Sequence, residues 1–176
     1  MGVVKYHPAL VVLHWLMAVL LIGALGLGLT LALTPNSDPG KLDLLEWHMA
    51  GGMAILALML IRLVVRWRTR KPAAEPLGFP VLDRLAPLIH YAFYIVVPLT
   101  VGFGYATGIL AHLPASVFAR TGEPLPEHFT AYPTFIGHAL LAMLLAALIG
   151  LHVAAAVWHQ WGRKDGLMGR MGFGPR

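Results

Sequence analysis

The sequence predicts an all-α protein, an integral membrane four-helix bundle with both termini cytoplasmic. Three observations carry this. Of 176 residues, 58% are hydrophobic and only 12% are charged, which is the composition of a polytopic membrane protein. Four apolar stretches, at about 10–33, 44–67, 85–110 and 134–161, are each long enough to cross a bilayer as a helix. Lys and Arg are distributed very unequally among the segments between them. After the loops are subtracted, the length leaves room for these four spans in a single transmembrane domain over 1–176 and for no separate soluble domain.

Absences narrow the chemistry. With no cysteine, the chain cannot form a disulfide, ligate haem through a thiolate, hold an iron–sulfur cluster or attach a c-type haem covalently. The net charge of +5 would suggest nucleic acid in a soluble protein. Here the basic residues flank apolar spans, so their partners are lipid headgroups and no nucleic acid is expected.

The first span, Leu10 to Leu33, has His14 and Trp15 about one turn inside and outruns the apolar core of a cleaved signal peptide. Gly23, Gly26 and Gly28 occupy its second half, where missing side chains admit a neighbouring helix or a flat ligand. A turn cluster from Thr34 to Lys41 leads to the second span, Leu44 to Trp67, with His48 near its start and Gly51 and Gly52 one turn on. Residues three and four beyond a helical histidine share its face, so these glycines leave a smooth notch beside the imidazole. Arg62 and Arg66 sit at the far end, placed to snorkel to the interface or to meet an anionic group such as a haem propionate.

A basic, proline-rich connection over residues 68–82 precedes the third span, Leu85 to Leu110. His90 and Tyr94 are four apart on one face, and Pro98 is expected to kink the helix. The loop from Ala111 to Pro133 carries His112, Arg120, Glu123, Glu127 and His128. The fourth span, Thr134 to Trp161, keeps His138, His152 and His159 inside or at the end of an otherwise apolar run. Intramembrane ionisable residues are expensive and by default mark function. His138 and His152 are fourteen residues apart, which returns to nearly the same face about 21 Å further along the axis.

Counting Lys and Arg orients the bundle. Lys5, Arg62, Arg66, Arg68, Arg70, Lys71, Arg84, Arg163, Lys164, Arg170 and Arg176 lie on one side, against Lys41 and Arg120 on the other. The positive-inside rule makes the first side cytoplasmic and puts the 111–133 loop outside. Trp47 and Tyr132 then mark the outer interface, and Trp67, Trp158 and Trp161 the inner one.

This topology pairs the histidines by depth. His48 is level with His138 near the outer side, and His14 lies nearer the level of His152 on the inner side. Two imidazoles from facing helices beside small residues, at two depths, are what two b-type haems with bis-imidazole ligation require. Saturated axial positions favour electron transfer over oxygen activation. Zinc fits poorly, because catalytic zinc takes three protein ligands and no HExxH helix is present. A cofactor-free proton or ion pathway through the histidines is a further alternative.

The chain resembles the bacterial cytochrome b561 family, di-haem four-helix membrane proteins, over nearly its whole length. The resemblance rests on LHWLMA around His14, EWHMAGG around His48, HYAFY around His90, GHALLAML around His138, and GLHVAAAVWHQWGRKDGLMGRM at the end. It implies His14 and His152 as iron ligands of the inner haem, and His48 and His138 as iron ligands of the outer one. It also implies His159 at a cytoplasmic quinone pocket and His90 as a polar contact there or at a haem edge. The function implied is electron transfer across the bacterial inner membrane between a periplasmic donor, with superoxide the leading candidate, and ubiquinone. A haem-binding anchor or relay subunit for a periplasmic dehydrogenase or c-type cytochrome is the alternative. No residue is singled out as catalytic.

Overall fold

The computed structural model describes residues 5–70, 72–73 and 80–172. Lys71 and Arg176 of the charge count, and residues 74–79 of the second connection, lie outside the described residues. Four long helices run antiparallel in chain order: α1 (Pro8–Leu33), α2 (Lys41–Arg68), α3 (Pro80–Leu110) and, after a short α4 (Leu113–Val117), α5 (Pro133–Val157). Among the described residues there are four candidate spans: Pro8–Leu33, Lys41–Arg68, Pro87–Leu110 and Pro133–Arg163, of 26, 28, 24 and 31 residues. At 1.5 Å per residue, each exceeds the roughly 30 Å hydrocarbon core.

Local chemistry sets the helix ends. Pro8 starts α1 behind His7, whose ring accepts a hydrogen bond from the Ala9 amide at 3.2 Å, and Pro133 starts α5 behind Tyr132. Helix α2 carries Asp43 in its first turn and Arg66 and Arg68 in its last, matching the helix dipole at both ends. It begins three residues before the apolar run, because Asp38 Oδ1 accepts from the Gly40 amide at 2.8 Å and closes the entry turn. Pro98 lies inside α3, which continues to Leu110.

The helices associate as two antiparallel pairs, α1 with α2 and α3 with α5, joined where α2 packs on α3. Among the described residues, α1–α5 and α2–α5 are not closely packed pairs. The seam between the helix pairs is thus looser than the pairs themselves. Mid-bundle, the seam is closed by a buried layer of Met17, Ile55, Met59, Val96, Val97 and Leu145. Leu145 is seven residues from both His138 and His152, so this layer lies about 10 Å from each along the helix.

A second cluster, Leu31, Leu45, Ala111, Leu113 and Val117, closes the end of the bundle beneath the 111–133 loop. Helix α4 supplies its centre: Val117 is fully buried. The loop is tied down further by Asn36, whose Nδ2 donates to the Pro126 and Glu127 carbonyls.

Leu145→Ala tests the mid-bundle layer. In water-soluble cores such a truncation costs about 2 to 5 kcal/mol. Lipid is as apolar as leucine, so only the packing part is lost in a bilayer. The expected cost in detergent unfolding is at the low end of that range, with the fold retained.

Candidate functional site

Near the loop end of the bundle, His48 of α2 and His138 of α5 face each other with ring centroids 5.9 Å apart and planes at 86°. His138 Nδ1 lies 2.8 Å from the Thr100 carbonyl of α3. A carbonyl can only accept, so Nδ1 carries the proton, and in the neutral ring Nε2 is the nitrogen with the lone pair. The approach depends on Gly104, one turn beyond Thr100 on α3. A Cβ there would stand 2.8 Å from His138 Nδ1. His48 turns toward α1, where a Cβ at Gly28 would lie 3.3 Å from its Cε1. Its Nδ1 is buried with no hydrogen-bond partner among the described residues. Gly51 and Gly52 would bring a Cβ within 4 Å of nothing, so the notch beside His48 is open space.

Nearer the termini, His14 of α1 and His152 of α5 face each other at 6.1 Å and 73°. His152 also has the rings of His90 and Phe93 at 5.5 and 5.6 Å. Arg62 spans the helices at this level: its Nε donates to the Tyr94 hydroxyl at 3.3 Å and a terminal nitrogen donates to the Leu10 carbonyl at 3.2 Å. Of the two placements expected for Arg62, at the interface or beside an anionic group, the structure shows it turned inward, at the level of His14 and His152.

These residues fit a metal held between two imidazoles. Bound through a ring nitrogen at about 2 Å, an imidazole has its centroid about 3 Å from the metal, so two on opposite sides stand about 6 Å apart. Both ring pairs meet that distance, and the His138 tautomer leaves the correct nitrogen free. Among the described residues, no group of three or more His, Asp or Glu side chains converges on one point. A porphyrin, which brings four nitrogens of its own and asks two axial ligands of the protein, suits this arrangement better than zinc does.

Beyond His152, α5 ends in a π-helical turn, Trp158–Arg163, that carries His159 inward to 5% exposure. There His159 Nδ1 lies 2.5 Å from Asp165 Oδ2. The chain reverses at Lys164 and Gly166, with φ of 55° and 72°, and runs on as a 3-10 helix, Leu167–Met171. Asp165 Oδ1 accepts from the Leu167 amide at 3.1 Å and Oδ2 lies 3.4 Å from Arg163 Nε. The His159 hydrogen bond, followed by that amide and Arg163, holds the Asp165 carboxyl below the usual carboxylate range. This tail folds back on α1: Trp15 Nε1 donates to the Met171 carbonyl at 3.0 Å, and the Tyr6 amide to that of Arg170 at 3.2 Å.

On the loop side, Arg120 holds Asp43 at 2.7 Å and Glu46 at 2.6 Å. These contacts, with Asp43 first, hold its guanidinium above its ordinary range. This loop cation is thus balanced by two carboxylates from α2. His112 and His128 are exposed, and His128 lies 3.7 Å from Glu127. Sequence reasoning gave no role to Asp165, Gly104 or the Thr100 carbonyl. For Asp165 a signal was available, an acid six residues past a histidine at the end of a span. The other two come from α3 and depend on how its face meets α5.

Comparison with known proteins places the chain in a family. A family model described as Prokaryotic cytochrome b561 matches residues 5–174. The chain is 28% identical over 179 aligned residues to "Probable superoxide oxidase CybB" of Yersinia pestis, with 95% of each chain covered. It is also 28% identical to "Cytochrome b561 homolog 2" of Escherichia coli (strain K12), covering 95% of this chain and 90% of the other. The protein therefore belongs to the prokaryotic cytochrome b561 family and is a multi-pass protein of the bacterial inner membrane, a b-type cytochrome with a role in electron transfer.

Proposed function

We propose that the chain binds two haems b, one between His48 and His138 and one between His14 and His152, and takes electrons from superoxide on the periplasmic side to ubiquinone on the cytoplasmic side. The observation that carries this reading is the pair of facing imidazoles at each of two levels, 5.9 and 6.1 Å apart. Haem held by these residues would supply one-electron chemistry. The distribution of Lys and Arg supports cytoplasmic termini. The name of the Yersinia relative supports superoxide as donor.

Each residue then has a task. The Thr100 carbonyl fixes the His138 tautomer, and Gly104 and Gly28 let the rings of His138 and His48 sit close against α3 and α1. Arg62 places a positive charge beside His14 and His152, where it would favour the electron-rich state of a bound haem and attract an anionic group such as a propionate. His90 is a polar neighbour of His152 rather than an axial ligand. His159 meets the quinone at the cytoplasmic end.

A second reading, a relay subunit for a periplasmic protein donor, is favoured by the Arg120 contacts. With that cation balanced by Asp43 and Glu46, the loop face suits a positively charged partner better than a small anion. Stopped-flow mixing of the purified holoprotein with superoxide, with and without a short-chain ubiquinone analogue, separates the two. The leading reading predicts fast appearance of the reduced b-type bands and their decay when quinone is present. No reduction by superoxide, together with rapid reduction by a co-purifying cytochrome or dehydrogenase, would replace it with the second.

A further inference from the structure

We propose that Asp165 is a positioning residue for quinone reduction: its carboxylate holds Nδ1 of His159 and so orients the imidazole, so that Nε2–H can donate to a quinone oxygen. The inference rests on the reading of His159 as the quinone contact and adds what holds the proton there. The geometry is that of a carboxylate–imidazole dyad. Asp165 Oδ2 lies 2.5 Å from Nδ1, and the two side chains are 6% and 14% exposed, histidine first. With Nδ1 engaged by the carboxylate, a ligand meets His159 through Nε2.

The local backbone is arranged around this contact. The π-helical turn carries His159 inward, and the left-handed residues Lys164 and Gly166 bring Asp165 back beneath it. The Leu167 amide and Arg163 then hold both carboxylate oxygens in place. Arg163 is the other charge at this carboxylate, and Arg170 of the following 3-10 helix donates to the Ala73 carbonyl at 2.7 Å. A residue that only latched the tail would need one hydrogen bond, whereas Asp165 accepts from the Leu167 amide through Oδ1 and meets the imidazole, with Arg163 beside it, through Oδ2.

The chemistry balances as follows. Reducing a quinone to a quinol takes two electrons and two protons. On the proposed reading the electrons come from superoxide, which is oxidised to dioxygen, two superoxide ions per quinone. One proton passes from His159 Nε2 to a quinone oxygen. The imidazole stays hydrogen-bonded to the Asp165 carboxylate and regains its proton from cytoplasmic water, which also supplies the second. The carboxylate stays ionised throughout, because its carboxyl group titrates below the usual range. A negative partner at Nδ1 stabilises the imidazolium that donates.

The test is Asp165→Asn in the full-length holoprotein. The amide oxygen still accepts from Leu167 but carries no charge. Reduced protein is mixed with the ubiquinone analogue from pH 5 to 9, and haem reoxidation is followed per haem. Expected are a fall on the order of tenfold or more near neutral pH, an alkaline limb of the profile moved to lower pH, and partial recovery in Asp165→Glu. A uniform fall at every pH with the profile unmoved, or a wild-type rate, overturns the proposal when His159→Ala is slow. If wild type is not reoxidised by quinone, or His159→Ala matches it, the quinone reading falls and takes the proposal with it.

Discussion

His138→Ala is expected to remove one of two b-type spectral components from the purified protein, and His48→Ala to remove the same one. His14→Ala and His152→Ala should each remove the other. Losing an axial imidazole goes beyond the roughly 10- to 100-fold loss of affinity typical of a supporting contact, so haem per chain should fall by about half on the proposed reading. His90→Ala provides the discrimination. Its ring stands closer to His152 than that of His14 does, 5.5 against 6.1 Å, yet it should leave both components in place, with at most a shift in midpoint potential. Redox-difference spectra and haem extraction read all five variants. If His48 and His152 lose the same component, the pairing by level is wrong.

Gly104→Ala should have the second-largest effect. The added methyl would stand 2.8 Å from His138 Nδ1 and 2.9 Å from Cε1, closer than real Cβ contacts allow. The ring cannot yield without giving up the Thr100 carbonyl. The variant is expected to lose the His48–His138 component while retaining the His14–His152 component and the fold. Gly102→Ala is the matched control two residues away on the same helix, where a Cβ meets nothing within 4 Å. It should bind haem as wild type does. Equal losses in both variants would mean that α3 tolerates no added side chain here, and the specific contact with His138 would lose its support.

What could be read from the sequence has a physical basis. Four long apolar runs state the fold class, because in lipid the backbone must bond to itself and helices do this within one segment. The histidines stood out because charge-capable groups are rare there. The fourteen-residue interval between His138 and His152 needs only helix geometry to become two levels. What could not be read depends on contacts between segments distant in sequence. Arg120 reaches Asp43 and Glu46 across more than seventy residues, so an exposed-looking cation in a loop turned out to be balanced. Helix α4 is only five residues long, too short to show a period, and it is stable because Leu113 and Val117 cover the bundle end. The three glycines and two threonines of α3 carry no label saying that Thr100 and Gly104 face His138. Asp165 lies beyond the apolar run, where reading by hydropathy stops.

The buried side chains that separate the two histidine levels are all hydrocarbon or thioether: Met17, Ile55, Met59, Val96, Val97 and Leu145. Such a plug gives water no foothold and protons no chain of donors. On the proposed reading, an electron stepping from one level to the other carries its charge unaccompanied, so the step does electrical work. A full crossing against 100 mV, interior negative, costs about 2.3 kcal/mol per electron, and the span between the levels takes its share of that. The bundle would therefore behave as a small current source that charges the membrane while it disposes of its substrate, and a larger resting voltage would slow it.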